Sequence, residues 1–325
     1  MTFIVLKNVL SNNKKQNPVL SVLTYSFNHA KFLRETIDSV FRQQYENFEY
    51  VFIDAESTDG THDILKEYEE IDWLSEPDGE CGAHSAFIRG LGKVSGDYVI
   101  QCCVSDGFLD SNWFKDGVEF LENNPDYSLV WALEQRLSEE GLLGEVNHPE
   151  YFDFSPPDGR KALISWLATG ITYPESNYIV RTKVLKECWP DEKISPEHHK
   201  IQPHLGFIFN FHCSNYKSKY FPRVVSWSRI HKEQRFEKRR NIERPAAIKY
   251  LKDINRLKFS LLFGKKTVTL VDGSVVSVPN FSKFERIKLI FDIFTQKIRY
   301  SRFVIKPISR IYKSFLRRLN LYKIN

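Results

Sequence analysis

Four short apolar runs alternate with three helix-spaced segments inside residues 19–103, and this alternation restricts the fold more than any other property of the chain. The runs are Val19–Thr24, Phe48–Asp54, Ile71–Ser75 and Asp97–Cys103. Between them, Ala30–Gln44 places Phe32, Leu33, Ile37, Val40 and Phe41 at helical spacing, and Thr61–Glu70 and Ala83–Val94 follow the same period. A β-α-β-α-β-α-β order of this kind predicts a mostly parallel sheet with right-handed crossovers and helices on its faces. Such sheets bind ligands beyond the carboxyl ends of their strands. Three ends carry polar residues suited to that: Thr24–Asn28, Asp54–Ser57 and Ser105-Asp106. The second is the most telling, because Val51-Phe-Ile runs straight into Asp54 and then into the small polar turn Ser57-Thr-Asp-Gly60.

Beyond residue 110 the pattern predicts a helix at 112–124 and a strand at 127–133. An irregular segment over 134–170, containing Pro156-Pro157, is expected to form a lid or an acceptor-side wall. A strand follows at 177–181, a helix at 182–188 and a last strand at 224–227. Residues 203–213 fit helix or strand equally well. After Arg235 charge-rich helices are expected, with a hairpin at 268–278 around Asp272-Gly273.

The chain has 325 residues, ample for a large core. No run of about 18 apolar residues appears, so no spanning helix is expected, and Met1–Asn8 lacks the basic and apolar order of a secretory signal. Five cysteines without CxxC spacing fit a reduced, cytoplasmic setting. The net charge of +5 is unevenly spread: residues 281–325 hold twelve Lys/Arg against Glu285 and Asp292, which is +10 and leaves −5 for the rest.

Five pieces then occur in a fixed order. They are Thr24-Tyr-Ser-Phe-Asn28 with Ala30, Phe32 and Leu33; Asp54-Ala-Glu-Ser-Thr-Asp-Gly-Thr61; Ser75-Glu-Pro-Asp78; Gly96-Asp97 before a strand ending at Ser105-Asp106; and Ser228-Arg-Ile-His231. Together they resemble the family 2 glycosyltransferases, whose GT-A fold is a Rossmann-like, mostly parallel sheet flanked by helices. The resemblance covers roughly residues 18–235. It implies a flexible lead over 1–17, a nucleotide-binding half at 18–110, an acceptor half at 111–235, and a basic helical extension from 236 to 325. It also implies a sugar transfer from a nucleotide-sugar donor, expected to be UDP-linked, to a glycan or polyprenyl-linked glycan hydroxyl, with inversion.

The resemblance carries residue roles with it. Asp54, an acceptor-only carboxylate, is expected to take hydrogen bonds from a uracil imide or a ribose hydroxyl, with Thr24, Ser26 and Glu56 around the nucleoside and Asp78 against nucleoside or donor sugar. Ser105 and Asp106 are expected at the diphosphate, where Asp106 would hold a divalent Mg2+ or Mn2+ ion. Arg89 and His84 are candidates for stabilising the leaving group instead, and Arg229 and His231 for clamping the diphosphate. The catalytic base is expected at Glu197, with Asp191 or His199 as substitutes, and Glu175 as an acceptor contact. Four positions depart from the family pattern: Ser85 and Ile88 on the third helix, and Val104 and Gly107 around the D-x-D position. These departures motivate a rival reading, an inactive GT-A-like module that binds a glycan or protein partner at the membrane. A nucleotidyltransferase would need a glycine-rich basic loop after the first strand, and none is present.

In the tail, Ile308, Ile311, Tyr312, Phe315, Leu316 and Leu319 fall on one helix face among Arg310, Lys313, Arg317 and Arg318. This predicts an amphipathic helix on an anionic leaflet, and so a peripheral location on the inner face of the cytoplasmic membrane. No nucleic-acid-binding module is recognisable, and the sequence leaves the oligomeric state open.

Overall fold

The computed structural model describes residues 19–77, 82–146, 160–169, 173–190, 203–214, 216–231 and 235–295, the last stretch without positions 272, 274, 279, 285, 288, 289 and 292. The four apolar runs form β1 (Leu20–Ser26), β2 (Phe48–Asp54), β3 (Ile71–Ser75) and β4 (Tyr98–Gln101). They alternate with α1 (Ala30–Phe41), α2 (Thr61–Leu65) and α3 (Ala83–Lys93). β1 pairs in parallel with β2 and β4, and β2 with β3, giving the order β3-β2-β1-β4. The chain therefore reverses its direction of travel across the sheet between β1 and β4, and that switch point opens a crevice at the strand ends.

The rest of the sheet is mixed. β5 (Gly107–Phe108), α4 (Trp113–Asn123), β6 (Leu129–Ser138) and β7 (Gly141–Val146) come first. Then follow α5 (Arg160–Thr169), β8 (Ile179–Arg181), α6 (Thr182–Cys188), α7 (Pro203–Cys213) and β9 (Ser218–Arg229). β8 runs antiparallel between β4 and β6, and β9 runs parallel to β6. Antiparallel β8 enters the sheet where β4 leaves it, so residues just before β8 reach the same crevice. α8 (Arg235–Leu262) and the expected hairpin, β10 (Thr267–Thr269) with β11 (Val275–Ser277), complete the described part.

The period-two alternation of β1 and β2 sorts the core into two layers. Leu20, Val22, Tyr50 and Phe52 face α1 and α4. Leu23, Val51 and Ile53 face α3 and, beyond it, Trp166, Leu185, Phe207 and Leu257. Gly90 on α3 lets the second layer close, because a Cβ there would sit 2.3 Å from Leu23 Cδ1. The region after 235, set apart by its charge, sends Ile254, Leu257, Leu261, Val268 and Val278 into the same layer.

Two expectations are corrected and one open alternative is resolved. Residues 134–170 are not wholly irregular: β6 continues to Ser138 and folds back as β7, and α5 follows. The last strand is twelve residues, Ser218–Arg229, rather than four, because it spans the whole edge of β6. Residues 203–213 resolve to helix.

Candidate active site

Backbone and side-chain bonds tie the first two strand tips into one rigid floor. Asn28 N donates to Ser57 Oγ at 2.8 Å, and Thr58 N donates to Asn28 Oδ1 at 2.8 Å. Ala55 N donates to Ser26 O at 2.9 Å and Glu76 N to Asp54 O at 3.0 Å. Asp59 completes the floor by accepting Ala30 N at 2.9 Å and Thr61 N at 3.2 Å, so it serves the starts of both α1 and α2. Among the described residues, the non-glycine positions with positive φ are Asn28 (55°), Glu56 (57°) and Ser105 (85°). They follow β1, β2 and β4, one at each strand end around the crevice. Left-handed backbone at non-glycine residues is uncommon and concentrates at functional sites.

Asp54 is fully buried at the tip of β2. Its Oδ2 accepts Ser57 N at 2.8 Å, His62 Nε2 at 2.6 Å and Ser75 Oγ at 2.9 Å, and its Oδ1 accepts Ser57 Oγ at 2.6 Å. Burial pushes this carboxyl up, but the bonds from Ser57, His62 and Ser75 outweigh burial and hold it below its ordinary range. His62 in turn lies against Trp73, ring centroids 5.4 Å apart. The expected acceptor is thus already supplied with four donors from its own chain.

Asp106 organises the opposite side. Its Oδ1 accepts Arg229 N at 3.1 Å and its Oδ2 accepts Ser176 Oγ at 3.0 Å. Thr36 on α1 fixes the turn before it, donating to Asp106 O at 2.8 Å and accepting Ser105 N at 3.1 Å. Burial and then the Glu134 charge push the Asp106 carboxyl up to about 8. Glu134 is buried on β6, where the register against β9 slips between Trp131 and Leu133 and again between Leu133 and Glu134. Such bulges re-aim side chains. Glu175, exposed just before β8, also acts on Asp106 by its charge. Its Oε1 accepts Gln101 Nε2 at 3.3 Å, and the same amide lies 3.1 Å from Tyr25 Oη.

The neighbours of Asp106 explain two departures from the expected motif. Val104 is buried among apolar side chains of the α1 layer. Gly107 has no room for any side chain, since a Cβ would lie 2.3 Å from Trp227 Cζ2 and 2.6 Å from Ser39 Oγ. Among the described residues no group of three His, Cys, Asp or Glu comes together to hold a metal.

Several expected contacts are redirected. Thr24 faces α1 with the period of β1, and its buried hydroxyl donates to Cys102 O at 2.8 Å, with Tyr50 Oη 3.0 Å away, so it is turned from the crevice. Arg229 is nearly buried, ion-paired with Glu35 of α1 and set 4.8 Å over the Phe32 ring, with Nε 3.3 Å from Ser105 O. That guanidinium braces β9 against α1. His231 packs on the other side of this arrangement, 4.9 Å from Phe32. His84 lies buried with Nδ1 accepting Trp189 Nε1 at 3.1 Å, which ties it into the α3 layer. Arg89 Nε lies 3.4 Å from Glu76 at the end of β3. Ser26 is buried at the tip of β1 with a hydroxyl that meets no partner among the described residues, and Glu56 is exposed at the tip of β2. Asp78, Asp191, Glu197 and His199 lie outside the described residues, as do the tail positions from 296 onward.

Sequence reasoning missed Glu134, Gln101, Tyr25, Glu35 and Phe27. Glu134 had a signal: it is a charge directly after the apolar run Leu129–Leu133, on the same strand. Phe27 had one too, as an aromatic between two polar strand-end residues, and it is 54% exposed. The Gln101–Tyr25 pair had none, because its members are 76 residues apart.

A family model described as glycosyl transferase family 2 matches residues 21–189. The putative teichuronic acid biosynthesis glycosyltransferase TuaG of Bacillus subtilis is 36% identical over 110 residues, 31% of this chain and 40% of that protein. The poly-beta-1,6-N-acetyl-D-glucosamine synthase of Staphylococcus epidermidis is 21% identical over 223 residues, 67% of this chain and 52% of that protein. The chain thus spans about half the length, or less, of these curated relatives. Among solved structures, S. aureus TarS 1-349 in complex with UDP superposes with a TM-score of 0.51 at 17% identity, covering 74% of this chain and 72% of that one. At that identity the likeness shows the fold.

Proposed function

The chain belongs to glycosyl transferase family 2, and we propose that it moves a sugar from a UDP-linked donor to a hydroxyl of a cell-envelope glycan, with inversion at the anomeric carbon. The observation that carries this reading is the convergence of three left-handed strand ends on one crevice, Asn28, Glu56 and Ser105, with Asp106 at its centre. Teichuronic acid and poly-N-acetylglucosamine relatives support the glycan class, and the UDP complex of a structural neighbour supports the donor class.

In this reading residues 18–110 bind the nucleotide and 111–235 receive the acceptor. Exposed Phe27 offers an apolar face to the base, and the free hydroxyl of Ser26 and the exposed carboxylate of Glu56 lie beside it. Asp54 acts as the pin that holds this floor, because its four internal donors fix Ser57, His62 and Ser75. Arg89 and Ser105 flank the diphosphate. Holding donor and acceptor at attack distance in a preorganised crevice supplies most of the rate.

Family members commonly employ a divalent cation, which would neutralise the departing diphosphate. Here its one carboxylate would be Asp106. Val104 is apolar and Gly107 excludes a side chain, so this stretch offers Asp106 alone and does not build a protein cage for a metal. A second reading, an inactive module that binds a glycan, draws on the same facts. The basic tail supports a peripheral place on the inner face of the cytoplasmic membrane, where a polyprenyl-linked acceptor would be presented.

The deciding measurement is hydrolysis of a panel of UDP-sugars with Mn2+ or with chelator, alongside calorimetric titration with UDP. Turnover of one donor is the expected result, while UDP binding without any turnover would favour the inactive module. The absence of both UDP binding and turnover would sink the transferase reading.

A further inference from the structure

We propose that Glu175 is the general base that removes the proton from the attacking acceptor hydroxyl, an assignment that rests on the transferase reading above. An inverting transfer needs a carboxylate that an incoming hydroxyl can touch. Three carboxyls of described residues form one group across from the floor, Asp106, Glu134 and Glu175, since the charges of Glu134 and Glu175 both act on Asp106. Asp106 accepts Arg229 N and Ser176 Oγ. Glu134 is buried on β6. Of the three, Glu175 is the exposed one. In the floor itself Asp54 is sealed under four donors, and exposed Glu56 stands on the nucleoside side.

Its position is also held. Pro174 before it and Ser176 after it are buried, and Ser176 Oγ bonds Asp106 at 3.0 Å, which fixes the residue beside the centre of the crevice. Gln101, 2% exposed at the end of β4, donates to Glu175 Oε1 at 3.3 Å. An amide donor orients a carboxylate without taking its charge away, as an ion pair would. Glu175 comes from the start of β8, on the acceptor half, while the nucleoside floor comes from β1 and β2.

The step balances. The acceptor O–H gives its proton to Glu175, its oxygen forms the new bond to the anomeric carbon, and the bond from that carbon to the phosphate oxygen breaks with its electron pair leaving on the diphosphate.

The test uses the full chain, a UDP-sugar that the wild type hydrolyses, and two nucleophiles: water, which must lose a proton, and azide, which need not. We expect E175Q to bind UDP as the wild type does and to lose water-dependent hydrolysis by about 100-fold or more. We expect added azide to restore turnover, with a glycosyl azide as product. E175D should keep part of the water-dependent rate. Hydrolysis by E175Q within a few-fold of wild type overturns the proposal. So does loss of both hydrolysis and azide product with UDP binding intact, because a positioning role would suppress both nucleophiles. Loss of UDP binding in E175Q overturns it as well. A wild type without turnover on any UDP-sugar strikes instead at the transferase reading, so the two failures are told apart.

Discussion

Asp54 and Asp106 both sit at strand tips, and their surroundings drive them in opposite directions. Asp54 keeps its charge through donated hydrogen bonds and stays below its ordinary range. Its contribution to stability is present above the unfolded value of about 4 and is lost as pH falls through the lower folded value. D54N should remove about 3 kcal/mol, read as a lower urea midpoint, because the charged acceptor of four bonds is gone. Asp106 is pushed up to about 8, so between about pH 4 and 8 the folded state binds a proton that the unfolded state has released. Stability should therefore fall as pH rises across that window and level off above it. Urea midpoints at pH 5 and pH 8 in chelator should show this slope, and D106N should flatten it. Gly107 belongs to the same neighbourhood. G107A forces a Cβ onto the Trp227 indole and should cost about 1–3 kcal/mol by overpacking.

At the scale of elements, the first four strands were legible because each is a short apolar run punctuated by polar turns, a pattern that survives without knowledge of partners. The elements that were not legible lack such a local signature. β7 exists through its pairing with β6, and its Leu142 is half exposed, so no alternation marks it. α7 is apolar on nearly every side because it packs between α6 and the sheet, and an all-round apolar helix carries no period to read. The candidate site divides in the same way. Asp54 and Asp106 announce themselves as carboxylates at strand ends, whereas the redirection of Thr24 and Arg229 depends on side-chain partners, such as Cys102 and Glu35, that only the assembled sheet brings near. Beyond 235, charge marked a boundary that the core does not respect. Leu257 on α8 is fully buried in the α3 layer. L257A should cost about 2–5 kcal/mol and shift one cooperative unfolding transition of the whole chain, as followed by fluorescence and circular dichroism together.

For the whole molecule, positive charge gathers at one end of the sequence. Residues 296–325 carry nine Lys/Arg and no acidic residue, while the crevice is lined by carboxyls. Among the described residues, no helix is long and apolar enough to cross a membrane. A chain lacking 296–325 should keep donor hydrolysis and lose co-sedimentation with anionic vesicles. Binding of the intact chain should weaken as salt rises toward 1 M. Retention of vesicle binding by the shortened chain would remove the tail from this role.

The two bonds that hold the Asp106 carboxyl come from Ser176 and Arg229, which are 70 and 123 positions further along the chain. A ribosome that has delivered the nucleoside floor has therefore not yet delivered the braces of the reaction centre. During synthesis the early strands can collapse around Asp54 as soon as β3 emerges, because their bonds are local. Asp106 must wait, unbraced, until β9 has left the exit tunnel. The order in which the chain appears thus separates the bonds of the Asp54 floor from those of the Asp106 carboxyl, and nascent chains halted before residue 229 should protect the first from hydrogen exchange and not the second.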